Sequence, residues 1–124
     1  LISKNDKDLE KNLFNYKNKY NLNISLKHEI SPNDMKDLYL SCRALIFPSK
    51  FESFGMPLIE AKKLNLKVIA PELDYVRDVI VPDFTFDVNS SISIARAIRR
   101  YLNINHNKNK IYTAKDFVEK ISSF

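Results

Sequence analysis

Gly55 is the only glycine in a chain of 124 residues, and two carboxylates, Glu52 and Glu60, bracket it. The surrounding run reads Phe47-Pro48-Ser49-Lys50-Phe51-Glu52-Ser53-Phe54-Gly55-Met56-Pro57-Leu58-Ile59-Glu60-Ala61. These residue types suit the binding of an anion beside a hydroxyl-rich group. A glycine lets another molecule approach the backbone closely. Pro57 marks the start of a helix, where its missing N–H costs nothing because first-turn amides have no intrahelical partner. Amides just ahead of that helix point outward with the positive end of the dipole behind them, which suits a phosphate. Glu60 falls one turn inside the helix, where its carboxylate can accept hydrogen bonds from a ligand's hydroxyls. Glu52 sits on the loop at the opposite end of the same cavity.

Positioning these residues requires a strand ahead of the loop and a helix behind it. Ala44 to Phe47 is short and continuously apolar, as expected of a strand covered on both faces, and Pro48 ends it. The motif helix runs from Pro57 to Leu64, and Leu66 to Ala70 is the next strand. Upstream, Leu9, Leu13, Tyr16 and Tyr20 have helical spacing within residues 6–20, with acids early and lysines late. Ile24, Leu26, His28 and Ile30 alternate with polar residues, which predicts a strand with one wetter face. Ser31-Pro32-Asn33-Asp34 then caps a helix whose buried stripe is Met35, Leu38, Tyr39 and Cys42. Downstream, Asp74 to Ile80 is a short helix and Thr85 to Val88 an edge strand. Ser91 to Leu102 is a helix with Ile92, Ala95, Ile98 and Leu102 inward. A polar linker from Asn103 to Asn109 leads to a last helix over about 113–121. Strands separated by helices predict an α/β fold, a Rossmann-like parallel sheet flanked by helices. In such sheets ligands bind beyond the carboxyl ends of the strands, where both Glu52 and the glycine loop fall.

Composition narrows the class. With 44% hydrophobic residues the chain is globular, and no apolar run approaches the roughly 20 residues that span a bilayer. The first residue is not methionine and no signal peptide is visible, so the expectation is a piece of a longer protein. The single cysteine, Cys42, excludes an internal disulfide and fits a reducing cytoplasm as a buried structural thiol. A net charge of +5 is spread over scattered lysines, without the basic-aromatic interleaving of a nucleic-acid module. It reads as a solvated surface or as attraction to the anionic inner leaflet of a membrane. Asp6-Lys7-Asp8 imitates a metal-binding Asp-x-Asp, but acidic residues at a helix start need no metal to explain them. His106 lies in the linker, and there is no Cys/His cluster with metal spacing.

The ordered set Pro48-Ser49, Glu52, Phe54-Gly55-Met56-Pro57, Glu60-Ala61 resembles the donor-binding motif of retaining glycosyltransferases of the GT-B fold. The resemblance continues through Val68-Ile69-Ala70 and Asp74-Tyr75-Val76-Arg77-Asp78-Val79-Ile80, and covers roughly residues 22–102. The second segment is most similar to O-antigen and capsule glycosyltransferases. Two departures stand out: Asn65-Leu66-Lys67 replaces a Gly-x-Pro before the strand, and Asp74-Tyr75 replaces a Gly-Gly after it. Both fit the O-antigen-like subgroup. The family's first strand of this domain, its glycine-bearing loop, and its diphosphate-clamping Arg and Lys find no counterpart here. Nor does the acceptor-binding N-terminal domain. The resemblance therefore implies one donor-binding domain over residues 1–124, truncated at its N-terminal side and the C-terminal half of a GT-B fold, with 103–124 as linker and final helix.

For the site, the resemblance implies that Glu52 contacts the donor sugar near the reacting carbon and is the catalytic residue. Glu60 binds the ribose hydroxyls, and Phe54, Gly55 and Met56 offer backbone amides to the sugar and diphosphate. Ser49, Lys50 and Ser53 complete the donor-binding set. Plainer readings stand beside these: a solvated glutamate, a favourable charge near a helix N-terminus, a simple turn, a surface lysine. His28 to Ile30 align with the segment whose backbone holds the nucleotide base, His28 itself reading as a packed strand residue. The implied reaction moves a sugar from a nucleoside diphosphate to a polysaccharide, O-antigen or glycolipid acceptor with retention, with no metal or other cofactor. Its partners are a nucleotide sugar and, through the N-terminal domain, a glycan or lipid-linked acceptor. Its place is the cytoplasm, with peripheral contact at the inner membrane face, and without that N-terminal domain no turnover is expected. A nucleotide-binding module without activity and a sugar-nucleotide epimerase-like domain are the alternatives, although the epimerase's histidines and acids have no match. Gly55→Val is expected to abolish donor binding while leaving the fold largely intact.

Overall fold

The computed structural model describes residues 7–103. The expected helix over 113–121, His106, Asp6 and the linker beyond Asn103 lie outside them. The chain forms two compact units, Leu1–Ser41 and Cys42–Phe124.

The first unit contains helix α1 (Lys7–Lys19) and helix α2 (Pro32–Ser41). Asp8 and Glu10 lie in the first turn of α1 and Lys17 and Lys19 in its last, as its dipole favours. The expected apolar stripe of α1 is largely open. Leu13 is half-buried, whereas Leu9, Tyr16 and Tyr20 are exposed, the two tyrosines stacking at 5.9 Å. The expected strand over 24–30 does not form. Ile24, Leu26 and Ile30 are half-buried, so the alternation is real, but Glu29 adopts φ 47. That left-handed residue turns the backbone out of extended geometry at the end of the run. The cap of α2 is as expected: the Asp34 amide donates to Ser31 Oγ at 3.2 Å, and Ser31 Oγ donates to Asp34 Oδ2 at 2.6 Å. Tyr39 is buried, with Met35 and Leu38 half-buried. Because α2 ends at Ser41, Cys42 does not continue the stripe and is exposed.

The second unit is built on a parallel sheet of β1 (Ala44–Ile46), β2 (Lys67–Pro71) and β3 (Phe84–Phe86), in the order β1-β2-β3. Ala44 pairs with Lys67 and Ile46 with Ile69, while Ile69 pairs with Phe84 and Pro71 with Phe86. Helix α3 (Met56–Lys63) connects β1 to β2 and α4 (Asp74–Val79) connects β2 to β3, and the two helices touch. Right-handed crossovers put both on one face. Helix α5 (Ser91–Tyr101) packs against β3. Val68, Ile69 and Ala70 of β2 have no exposure at all, so the strand covered on both faces is β2. β1 lies at the edge of this sheet with Ile46 exposed, which corrects the expectation for Ala44 to Phe47. Edge strand β3 matches its expectation to within a residue at its start.

The core beside α5 is Ile69, Phe86 and Ala97, with Ile94, Ile98 and Tyr101 packed against it. Of the expected stripe only Ile98 packs inward, while Ile92, Ala95 and Leu102 are exposed. Positions 94, 98 and 101 follow the i, i+4, i+7 pattern equally well, and the cap decides between the phases. Ser90 Oγ accepts from the Ser93 amide, and Ser93 Oγ accepts from the Asp87 amide, which fixes how the chain enters α5.

Candidate functional site

Helix α3 begins one residue earlier than Pro57 indicates, with Met56 first and Gly55 at the cap position. Gly55 has φ 64 and ψ 38, a left-handed conformation that few side chains tolerate, and it is buried. No side chain caps the helix, and Pro57 carries no N–H. The Leu58 amide donates to the Gly55 carbonyl at 2.9 Å, turning the chain tightly into the helix. A methyl group at Gly55 would lie 3.2 Å from Leu58 Cδ1, and Leu58 is fully buried. Valine there would press on the core as well as on any ligand, so it would cost more stability than the modest fall expected for a fold left largely intact. Glu60 is half-buried in the second turn of α3.

The other end of α3 explains one departure of the motif. Asn65 adopts φ 56, its amide donates to the Lys62 carbonyl, and the Leu66 amide donates to the Ala61 carbonyl at 2.9 Å. This is a Schellman closure, with asparagine in the left-handed position that glycine usually takes. Leu66 and Ala61 are both buried beside it.

The loop between β1 and α3 lies past the carboxyl end of β1 and is tied down at alternate residues. The Phe47 amide donates to the Ile69 carbonyl at 3.0 Å. Ser49 Oγ donates to the Phe51 carbonyl at 3.0 Å. Tyr75 Oη, in the first turn of α4, donates to the Ser49 carbonyl at 2.6 Å. Burial raises the Tyr75 phenol above its ordinary value and the negative charge of Glu52 raises it further, partly opposed by the Ser49 side chain. Glu52, Lys50, Ser53, Phe54 and Met56 are exposed on this loop or at the helix start. Phe51 is 90% exposed.

Ser49 and Glu52 are thus brought together with Tyr75, while Gly55, Met56 and Glu60 share the N-terminal part of α3. Tyr75 is the residue that the sequence reading passed over. Its signal was the replacement of the family's Gly-Gly by Asp74-Tyr75, a large polar aromatic where small residues are usual. His28 to Ile30 lie in the first unit, on a cleft of about 540 Å³ also lined by Lys27, Asp34 and Asp37. Among the described residues no group of three or more His, Cys, Asp or Glu side chains is placed to hold a metal ion.

Curated relatives resemble part of this chain in sequence. The O-antigen chain mannosyltransferase RfbU of Salmonella typhimurium is 39% identical over 57 residues, 46% of this chain and 16% of that protein. The serotype-specific mannosyltransferase WbdA of Escherichia coli is 35% identical over 74 residues, 59% of this chain and 9% of its own length. The chain therefore spans only a small part of either relative. A family model described as glycosyl transferases group 1 matches residues 5–117, taking in the loop, both carboxylates and all three strands. With the parallel sheet, the glycine cap past its carboxyl edge and that match in agreement, the chain belongs to the group 1 glycosyl transferases.

Proposed function

We propose that this chain supplies the donor-binding part of a retaining glycosyltransferase that moves a sugar from a nucleoside diphosphate to a polysaccharide, O-antigen or glycolipid acceptor. The observation that carries this reading is the left-handed glycine at the start of α3, with Glu52 before it and Glu60 behind it. The barrier to transfer lies in breaking the bond to the diphosphate while negative charge grows on the leaving oxygen. Amides at Gly55 and Met56, backed by the dipole of α3, stabilise that charge without a metal ion. Glu60 accepts hydrogen bonds from the ribose, and Glu52 orients the sugar at the reacting carbon. Both relatives are named mannosyltransferases, which makes a mannosyl nucleotide the first donor to try. The net charge of +5 supports a peripheral position at the cytoplasmic membrane face, and among the described residues no helix is long and apolar enough to cross a bilayer. The acceptor binds outside this chain, which alone binds donor without turnover.

The two carboxylates separate in kinetics. In the enzyme that carries this chain, Glu60→Ala is expected to weaken donor binding about tenfold or more, the loss of a charged hydrogen bond. Glu52→Ala is expected to lower kcat with a smaller change in donor KM. Parental kinetics for both variants would contradict the reading.

A further inference from the structure

The catalytic loop has no regular structure between Phe47 and Gly55, yet it must hold a carboxylate in one place. Ordering a residue costs about 1–2 kcal/mol of conformational entropy, so a nine-residue stretch such as this one does not stay fixed unaided. What fixes it is a short relay. The Phe47 amide continues the ladder to β2. Tyr75 Oη grips the next carbonyl but one, that of Ser49, at 2.6 Å. Ser49 Oγ in turn closes on the Phe51 carbonyl, and Glu52 follows directly. Tyr75 belongs to the first turn of α4, which follows β2, so its bond joins the segments that leave the carboxyl ends of two adjacent parallel strands.

Resting on the glycosyltransferase reading, we propose that Tyr75 is a positioning residue, whose hydroxyl holds the Ser49 turn and thereby sets where Glu52 meets the donor sugar. Three features agree. The Tyr75–Ser49 bond is short and partly buried, where water competes poorly for it. The Glu52 carboxylate lies within electrostatic reach of the Tyr75 hydroxyl. Burial and that charge both keep the phenol protonated, as a donor to the Ser49 carbonyl must be. The six-residue α4 has no side-chain cap at Leu73, so the link to Ser49 also tethers that helix to the loop. Tyr75 touches no reacting atom in this scheme. It acts through Ser49 and Glu52.

The test is a double-mutant cycle in the enzyme that carries this chain, following nucleotide release from its donor. Tyr75→Phe keeps the ring and removes only the hydroxyl. It is expected to lower kcat about tenfold while donor KM stays within about twofold. In a Glu52→Gln background the same change is expected to have almost no further effect on kcat, because the relay then ends at a group that no longer does its work. Tyr75→Phe with parental kcat would overturn the proposal, and so would an equal fall in both backgrounds, which is what a purely structural role gives. As a second readout, Tyr75→Phe is expected to shift the amide resonances of Ser49 to Ser53 and leave those of α5 in place. Unmoved loop resonances would likewise overturn it. A parent enzyme that releases nucleotide from no sugar nucleotide overturns the functional reading itself. An active parent beside an equally active Tyr75→Phe overturns the role of Tyr75 alone.

Discussion

At Gly55 the backbone calls for glycine, in the residue we propose to face the donor. Its φ of 64 is open to glycine at no cost, and an added Cβ would sit 3.2 Å from Leu58 Cδ1. Gly55→Ala is therefore expected to destabilise the protein by about 1–2 kcal/mol through left-handed strain alone. Valine is expected to cost more, since its branches meet the fully buried Leu58 as well. Gly55→Asn is expected to lose less than alanine, because asparagine already occupies left-handed positions at Asn65 and Asn103 in this chain. Urea denaturation of the three variants checks the order, and an alanine variant as stable as the parent would contradict it. Residue identity marked Gly55, Glu52 and Glu60 as candidates in the sequence, and the left-handed turn that Gly55 makes was legible from its being a single glycine ahead of Pro57. It did not reveal Tyr75, whose role depends on a carbonyl distant in sequence, that of Ser49.

At the level of elements, Asp83 fastens the sheet to the end of the motif helix. Its carboxylate accepts from Lys62 Nζ, from Lys67 Nζ at 2.8 Å and from the Val68 amide at 2.9 Å. Burial alone would raise its pKa, but the hydrogen bonds from Lys62, Lys67 and Val68 outweigh it and hold the carboxyl far below the usual carboxylate range. The folded protein thus binds this proton less readily than the unfolded chain. The contribution is full above the unfolded pKa of about 3.9 and is lost as pH falls below it. Asp83→Asn is expected to lower Tm by about 4–8 °C at pH 7, the effect of roughly 1 kcal/mol in a domain of this size. The gap to the parent is expected to close as melts are repeated below about pH 4. A pH-independent gap would contradict this account. Elements with strong local signals were readable: the Ser31 cap, the helix after Gly55 and the apolar β2. Those that depend on tertiary choice were not. Residues 24–30 alternate like a strand but turn at Glu29, and α5 offers two acceptable apolar phases of which the Ser90 cap and the Ile69–Phe86 core select one.

Across the whole molecule, the fold class was legible because strand and helix signals alternate, which permits little besides a parallel sheet with crossover helices. The division into two compact units was not, because the polar residues around Ser41-Cys42-Arg43 carry no linker composition. Family membership extends over nearly the whole chain, while the named relatives are far longer than it is. Two-dimensional NMR of this chain titrated with GDP, UDP, ADP and their sugars tests the proposed donor site most directly. Selective perturbation by one nucleoside diphosphate or its sugar is expected, centred on the amides of Gly55, Met56 and Glu60 and spreading to Ser49 and Glu52 only when the sugar is attached. Binding is expected to be weak, in the millimolar range that a few charged hydrogen bonds supply. Spectra in which those amides stay still at millimolar concentrations of every ligand would contradict the assignment of this loop as a donor cradle.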